Sequence, residues 1–199
     1  MNQLLMQNEL ELLECFFPHL KDLASKEIEK KSGFSHETTF RILKGLVNKK
    51  CLIEKKVGKT NVYEFVNDRD LKYQVFIYHM NKKRLDFRQK HALRYKRLYE
   101  CLNDVNPEGP AILFGSYAKG TQTAESDIDL LLVTNKKNVR SALQVYKTKY
   151  AMNIQPVLVR TSDFMNMKKD NPQFWNDILT YGVILDGVDR FFKEVYIND

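Results

Sequence analysis

Cysteine, proline and glycine are all scarce in this chain of 199 residues, which holds three, five and eight of them respectively, with a single tryptophan. Three cysteines, Cys15, Cys51 and Cys101, are odd in number, far apart and without Cys-x-x-Cys spacing, so a disulfide framework and a zinc knuckle are both excluded as readings. They are expected as buried thiols in a reducing compartment. The low glycine and proline content excludes collagen-like and low-complexity classes. No apolar run approaches the roughly 18 residues of a membrane span. The opening segment MNQLLMQNELELLE has no basic stretch followed by an apolar core, so it does not read as a signal peptide and a cytoplasmic protein is expected.

What is present is an ordinary globular composition, 43% hydrophobic and 29% charged, with a net charge of +7 that is unevenly spread. Residues 1–110 hold 21 Lys and Arg against 15 Asp and Glu, whereas residues 111–199 hold 11 against 10. The excess of positive charge therefore lies in the first half, where a polyanion would be drawn. Length permits one large domain or two small ones, each able to bury a core.

The most informative stretch is AILFGSYAKGTQTAESDIDLLLV, Ala111 to Val133. An apolar run ends at Gly115-Ser116, a short polar segment follows, and a second apolar run carries Asp127 and Asp129. Side chains two apart in a strand share a face, so the aspartates would stand as a carboxylate pair that calls for a cation. Ser116 at the N-cap of a short helix would offer a hydroxyl and backbone N–H groups to a phosphate. Gly115-Ser116, ten residues, then Asp127-Ile128-Asp129, with Gly120 and Ser126 in order between two strand-like runs, resembles the signature of the polymerase-β-type nucleotidyltransferases, in particular the minimal nucleotidyltransferase domains.

That resemblance implies a Mg²⁺ held by Asp127 and Asp129, phosphates of a nucleoside triphosphate, ATP by preference, cradled by Gly115 and Ser116, and transfer of a nucleoside monophosphate to a protein or small-molecule hydroxyl. Lys119 is a candidate to neutralise phosphate charge, or an ordinary surface lysine. The resemblance also implies a third carboxylate on the next strand. Here that strand, Asn153 to Val159 (NIQPVLV), carries no acid, and Gln155 stands where the carboxylate is expected. A neutral amide is a poor general base and adds no charge for a second metal.

Ahead of this lie segments with helical periodicity. Leu10, Leu12, Leu13, Phe16, Phe17 and Leu20 suit a core helix that breaks near Pro18; Ser25 is an expected N-cap for a short helix stopped at Gly33; and Ser35 is expected to cap a longer helix to about Lys50. On that third helix Thr39, Ile42, Leu43 and Leu46 form an inward face, and Glu37, Arg41, Lys44 and Asn48 a polar stripe. CLIEKKVGKTNVYEFV then reads as a hairpin with a basic tip. Residues 5–67 look like a winged helix-turn-helix domain. This implies double-stranded DNA as a partner, with Arg41 as the best base contact, Asn48 on the same stripe, and Lys44, Lys55, Lys56 and Lys59 at phosphates. Protein contact or dimerisation is the other use of such a domain, and a homodimer would suit paired half-sites.

Residues 68–106 are helix-compatible, and Lys82 to Arg97 carry eight basic residues against one acidic one. An amphipathic helix is expected there, with Leu85, Ala92, Tyr95, Tyr99 and Leu102 on one face, ended by Pro107-Glu108-Gly109-Pro110. The expected organisation is α+β: a winged helix-turn-helix over 1–67, a helical connector over 68–109, and a nucleotidyltransferase-like mixed sheet with packed helices over 110–199. Two functions fit it. One is a DNA-binding protein with an active nucleotidyltransferase domain; the other is a transcriptional regulator whose second domain only binds nucleotide or mediates dimerisation.

Overall fold

The computed structural model describes residues 4–197, and the chain divides into two compact units at His79/Met80. The division falls within a 22-residue helix, so each unit is described by itself.

The first unit opens with α1 (Gln7–Glu14), β1 (Leu23–Ala24), α2 (Ser25–Ser32) and α3 (His36–Asn48). These are followed by β2 (Leu52–Val57), β3 (Thr60–Phe65) and the first half of α4 (Arg69–Lys90). Helix α1 is shorter than its apolar spacing suggests: residues 15–20 are turns, which still bury Phe16 and Phe17. The N-cap of α2 is Ala24 rather than Ser25. Its backbone N–H donates to Glu27 Oε2 at 2.8 Å, so the glutamate supplies the reciprocal half of a capping box. Ser35 does cap α3, its hydroxyl accepting from the Thr38 N–H at 3.3 Å, and Thr39, Ile42, Leu43 and Leu46 are buried.

The basic hairpin is β2–β3, antiparallel from Leu52↔Phe65 to Val57↔Thr60. The two-residue β1, which the sequence reading did not anticipate, adds to β3 and makes a three-stranded sheet in the order β1-β3-β2. Phe65 meets Phe16 and Phe17 edge to face, at 5.8 Å each. Burying such rings is worth about 1.5–3 kcal/mol each.

The second unit holds the end of α4, α5 (Ala92–Val105), β4 (Ala111–Phe114), α6 (Gly115–Lys119), β5 (Ile128–Val133), α7 (Val139–Tyr150) and β6 (Ile154–Val159). Then come the single turns α8 (Thr161–Phe164) and α9 (Met167–Asp170), α10 (Pro172–Tyr181), β7 (Val183–Asp186) and α11 (Val188–Tyr196). The strand order is β6-β5-β4-β7, with β5 and β6 parallel and the other pairs antiparallel, so the sheet is mixed. The residues that pack on α5 and α7 alternate along the strands. Ala111, Leu113, Ile128, Leu130, Leu132, Val183 and Leu185 join Leu98, Leu102, Val139 and Leu143 in one core. The period of two sends Ile112, Leu131 and Ile184 to the opposite face. Phe164, Trp175 and Phe191 form a further buried aromatic group, with Trp175 and Phe191 stacked at 6.4 Å.

The helical connector departs from expectation. The amphipathic helix over Lys82–Arg97 is interrupted at His91, whose φ of −136° and ψ of 48° separate α4 from α5. Of the expected face Leu85 and Tyr99 are exposed and Leu102 is buried, and Leu98, Cys101 and Val105 join it in the core. After β7, α11 buries Phe191, Phe192 and Val195. All three cysteines are buried, and burial pushes the Cys101 thiol up to about 12. Among the described residues no helix is long and apolar enough to cross a membrane.

Candidate active site

Strands β4 and β5 run antiparallel, with Phe114 opposite Asp129. The chain must therefore turn out of β4 directly beside that carboxylate. Gly115 makes the turn at φ +67°, and a Cβ there would lie 1.9 Å from Asp129 Oδ2 and 2.8 Å from its Cγ. Only glycine permits both the left-handed backbone and this approach. Ser116 is not the N-cap but the second residue of α6, a helix of five residues whose N-cap is Phe114 and which is closed by Gly120 at φ +72°. The close approach of the Gly-Ser turn to the second aspartate is what the spacing of the motif achieves in three dimensions.

Asp129 sits within β5, and Asp127 lies one residue before the strand begins. Both are half-buried. Burial, and next the charge of Asp127, hold the Asp129 carboxyl above its ordinary range. A carboxylate whose proton affinity is raised by burial and by a neighbouring carboxylate belongs to a site that a cation would relieve.

Parallel pairing of β5 with β6 sets Gln155 opposite Asp129. The Gln155 amide donates to Asp127 Oδ2 at 3.3 Å, and the Asn153 amide donates to Asp127 Oδ1. Asp127 is thus held by two neutral donors from β6. Asn153 escaped the sequence reading; its place at the entry of the strand after the aspartates, two residues before Gln155, was the available signal. Among the described residues no cluster of three or more acidic, histidine or cysteine side chains suits a metal. Two carboxylates nevertheless fit Mg²⁺, which is commonly bound by one or two carboxylates plus substrate phosphates.

Lys119 stands apart from the carboxylate pair. Its Nζ is 2.7 Å from Asp177 Oδ2 on α10 and 5.2 Å from the Tyr181 ring centroid, and the hydrogen bond to Asp177 raises its pKa. In the first unit Arg41, Lys44 and Asn48 are exposed along α3, and Lys55, Lys56 and Lys59 along the hairpin. Lys55 is paired with Glu64, and Lys44 lies 4.8 Å over the exposed Phe40 ring.

A second feature, also missed in the sequence, is a cavity of about 370 Å³ that Asn153 lines together with Arg94, Arg97, Tyr117, Ser126 and Tyr150.

Comparison with known proteins agrees with this geometry. Residues 96–190 match the model of the family described as polymerase beta, nucleotidyltransferase. A Methanocaldococcus jannaschii protein provisionally named a protein adenylyltransferase is 35% identical over 91 residues, which is 41% of this chain; the chain spans 60% of that relative's length. A solved toxin-antitoxin structure with AMP-PNP overlaps 53% of this chain and 83% of its own, at 22% identity and a TM-score of 0.39, a looseness that leaves it without weight for ligands or assembly. The family match begins within α5 and takes in the Gly-Ser turn, both aspartates and all four strands of the sheet: residues 96–190 form a nucleotidyltransferase domain of the polymerase beta type.

Proposed function

We propose that the second unit transfers a nucleoside monophosphate, AMP from ATP, to a hydroxyl of a protein or small molecule. The observation that carries this reading is the packing of Asp129 against the Gly115 turn with Asp127 beside it. The name of the archaeal relative favours adenylyl transfer and a protein acceptor.

In this reading Ser116 and the backbone of the turn hold the β and γ phosphates, which places the α-phosphorus over the aspartate pair. Asp127 and Asp129 would hold Mg²⁺, which when bound neutralises phosphate charge. The acceptor oxygen bonds to the α-phosphorus as the bond to the β-phosphate oxygen breaks and pyrophosphate leaves. The acceptor proton passes to solvent, since β6 offers the amides of Asn153 and Gln155 and no carboxylate. Those amides orient Asp127. Lys119 can serve the phosphates only by leaving Asp177.

Incubating the full chain with α-labelled ATP, Mg²⁺ and cell lysate tests this reading. A labelled product should form and be lost in Asp127→Ala with Asp129→Ala. Absence of labelling with Mg²⁺ or Mn²⁺ and any of the four nucleotides would refute transfer.

We further propose that the first unit is a winged helix-turn-helix that binds double-stranded DNA, supported by the exposed basic residues on both α3 and the hairpin. Selection from random duplexes should yield a motif whose binding falls steeply with salt and is weakened by Arg41→Ala. Salt-sensitive binding without a motif would argue against sequence recognition, and no binding at all would leave the first unit to protein contacts.

A further inference from the structure

Helix α3 carries one side chain that neither its inward face nor its polar stripe accounts for. Phe40 is 46% exposed, while Thr39, Ile42, Leu43 and Leu46 around it are buried, so the helix completes its packing without this ring. The exposed residues beside it are Glu37 one turn before, Arg41 next along the chain, and Lys44 one turn after. Lys44 Nζ lies 4.8 Å over the ring, and among the described residues no second aromatic ring meets it. The exposure is what remains with that lysine in place, so apolar ring surface stays open to a ligand.

A single exposed apolar side chain is ordinary on a protein surface. What sets Phe40 apart is its place. In a helix-turn-helix the N-terminal part of the second helix meets the base edges of the major groove, and Phe40 and Arg41 are the fifth and sixth of the 13 residues of α3. The groove displays one apolar group, the C5-methyl of thymine, and phenylalanine is among the side chains that suit it. Arg41 offers its fork to the O6 and N7 of guanine. A helix residue advances about 1.5 Å and a base pair about 3.4 Å, so ring and fork reach the same base pair or close neighbours. The exposed lysines Lys56 and Lys59 of the hairpin suit phosphates, contacts that position the helix but carry no sequence information. A methyl contact would supply some.

Resting on the DNA-binding reading of the first unit, we infer that Phe40 is a specificity-determining residue that reads a thymine methyl in the major groove, within about two base pairs of the guanine met by Arg41. Lys44 covers part of the ring and holds it in place; the surface left open takes the methyl. The ring makes no phosphate contact, so it contributes to the choice of sequence and not to the salt-dependent attraction.

The test uses the full chain, the duplex it selects from a random pool, and the same duplex with single thymines replaced by uracil, which removes the methyl and keeps the base pairing. The guanine is located as the position whose preference Arg41→Ala relaxes. At one thymine within about two base pairs of it, uracil should weaken wild-type binding about 4-fold, the worth of one buried methyl group, and should leave Phe40→Ala unaffected. Phe40→Ala should bind a scrambled duplex as the wild type does, with the same slope against salt. Phe40 is exposed, so its replacement leaves the core intact, and a thermal melt checks this. Uracil without effect at every thymine of that window, or an equal loss in wild type and Phe40→Ala, overturns the inference and leaves the DNA-binding reading standing. Equal weakening of scrambled and selected duplexes by Phe40→Ala makes the ring a general contact and overturns it too. If Arg41→Ala relaxes no guanine, the paired placement fails and the inference with it. If no motif emerges from the pool, sequence recognition by the first unit and the role of Phe40 fall together.

Discussion

Replacing Gly115 by alanine probes the packing on which the site depends. A Cβ there would stand 1.9 Å from Asp129 Oδ2, while contacts under 3.0 Å are essentially never seen, so the carboxylate must retreat by at least about 1.1 Å. The left-handed backbone costs an alanine about 1–2 kcal/mol, and forcing atoms into an occupied space costs about 1–3 kcal/mol more. Gly120→Ala is the internal control, since its φ is also left-handed at +72° but no atom lies within 4 Å of the new Cβ. Urea unfolding should show the loss in Gly115→Ala exceeding that in Gly120→Ala by the steric part alone. In an Asp129→Ala background that excess should vanish, as a double-mutant cycle would record. On the proposed reading, in which Asp129 holds the metal, displacing its carboxylate by about 1 Å should lower adenylyl transfer about 100-fold, or ~2.7 kcal/mol of barrier. Equal stability losses for the two glycine variants, or full transfer activity in Gly115→Ala, would refute the reasoning.

Other perturbations follow from the same contacts. Burial and the neighbouring Asp127 raise the Asp129 pKa, so the fold binds that proton more tightly than the unfolded chain does. The resulting stability is fully present below the ordinary Asp value of 3.8 and is lost as pH rises through the folded value. Without divalent metal, Asp129→Asn should therefore flatten the fall in stability just above pH 3.8 in urea titrations, and Asp127→Asn should shrink it. Glu9 is 3% exposed and accepts from Lys49 Nζ at 2.7 Å and from the Met6 N–H at 2.9 Å. Lys49→Ala removes one of these donors and should destabilise the chain by about 1–3 kcal/mol at neutral pH; an unchanged denaturation midpoint would show that Glu9 does not rely on it. The Lys119–Asp177 pair is exposed and screened by solvent, so Lys119→Ala should leave the denaturation midpoint essentially unchanged. If Lys119 also serves the phosphates, the same variant raises the KM for ATP, and an unchanged KM keeps it on Asp177.

The amino-acid sequence by itself determined the local elements that periodicity and turn chemistry encode. The inward face of α3, its Ser35 cap, the basic hairpin, and the strand-turn-helix around Gly115-Ser116 are all written in neighbouring residues. The same holds for the Asp127 and Asp129 spacing and for the absence of an acid on β6, because both are properties of short segments. Where contacts span longer distances along the chain, legibility ended. The α4–α5 break at His91 rests on packing of α5 against α7 and the sheet, which an unbroken helical pattern does not reveal. Two-residue β1 exists only because β3 pairs with it. Asn153 becomes a partner of Asp127 only through the parallel register of β5 and β6, 26 residues apart in the chain. Tertiary structure alone likewise decided that Arg94 and Arg97 share a cavity with Tyr150 beside the aspartates. Spacing along a chain specifies which side chains share a face of one helix or strand, but which faces meet depends on the burial of a common core.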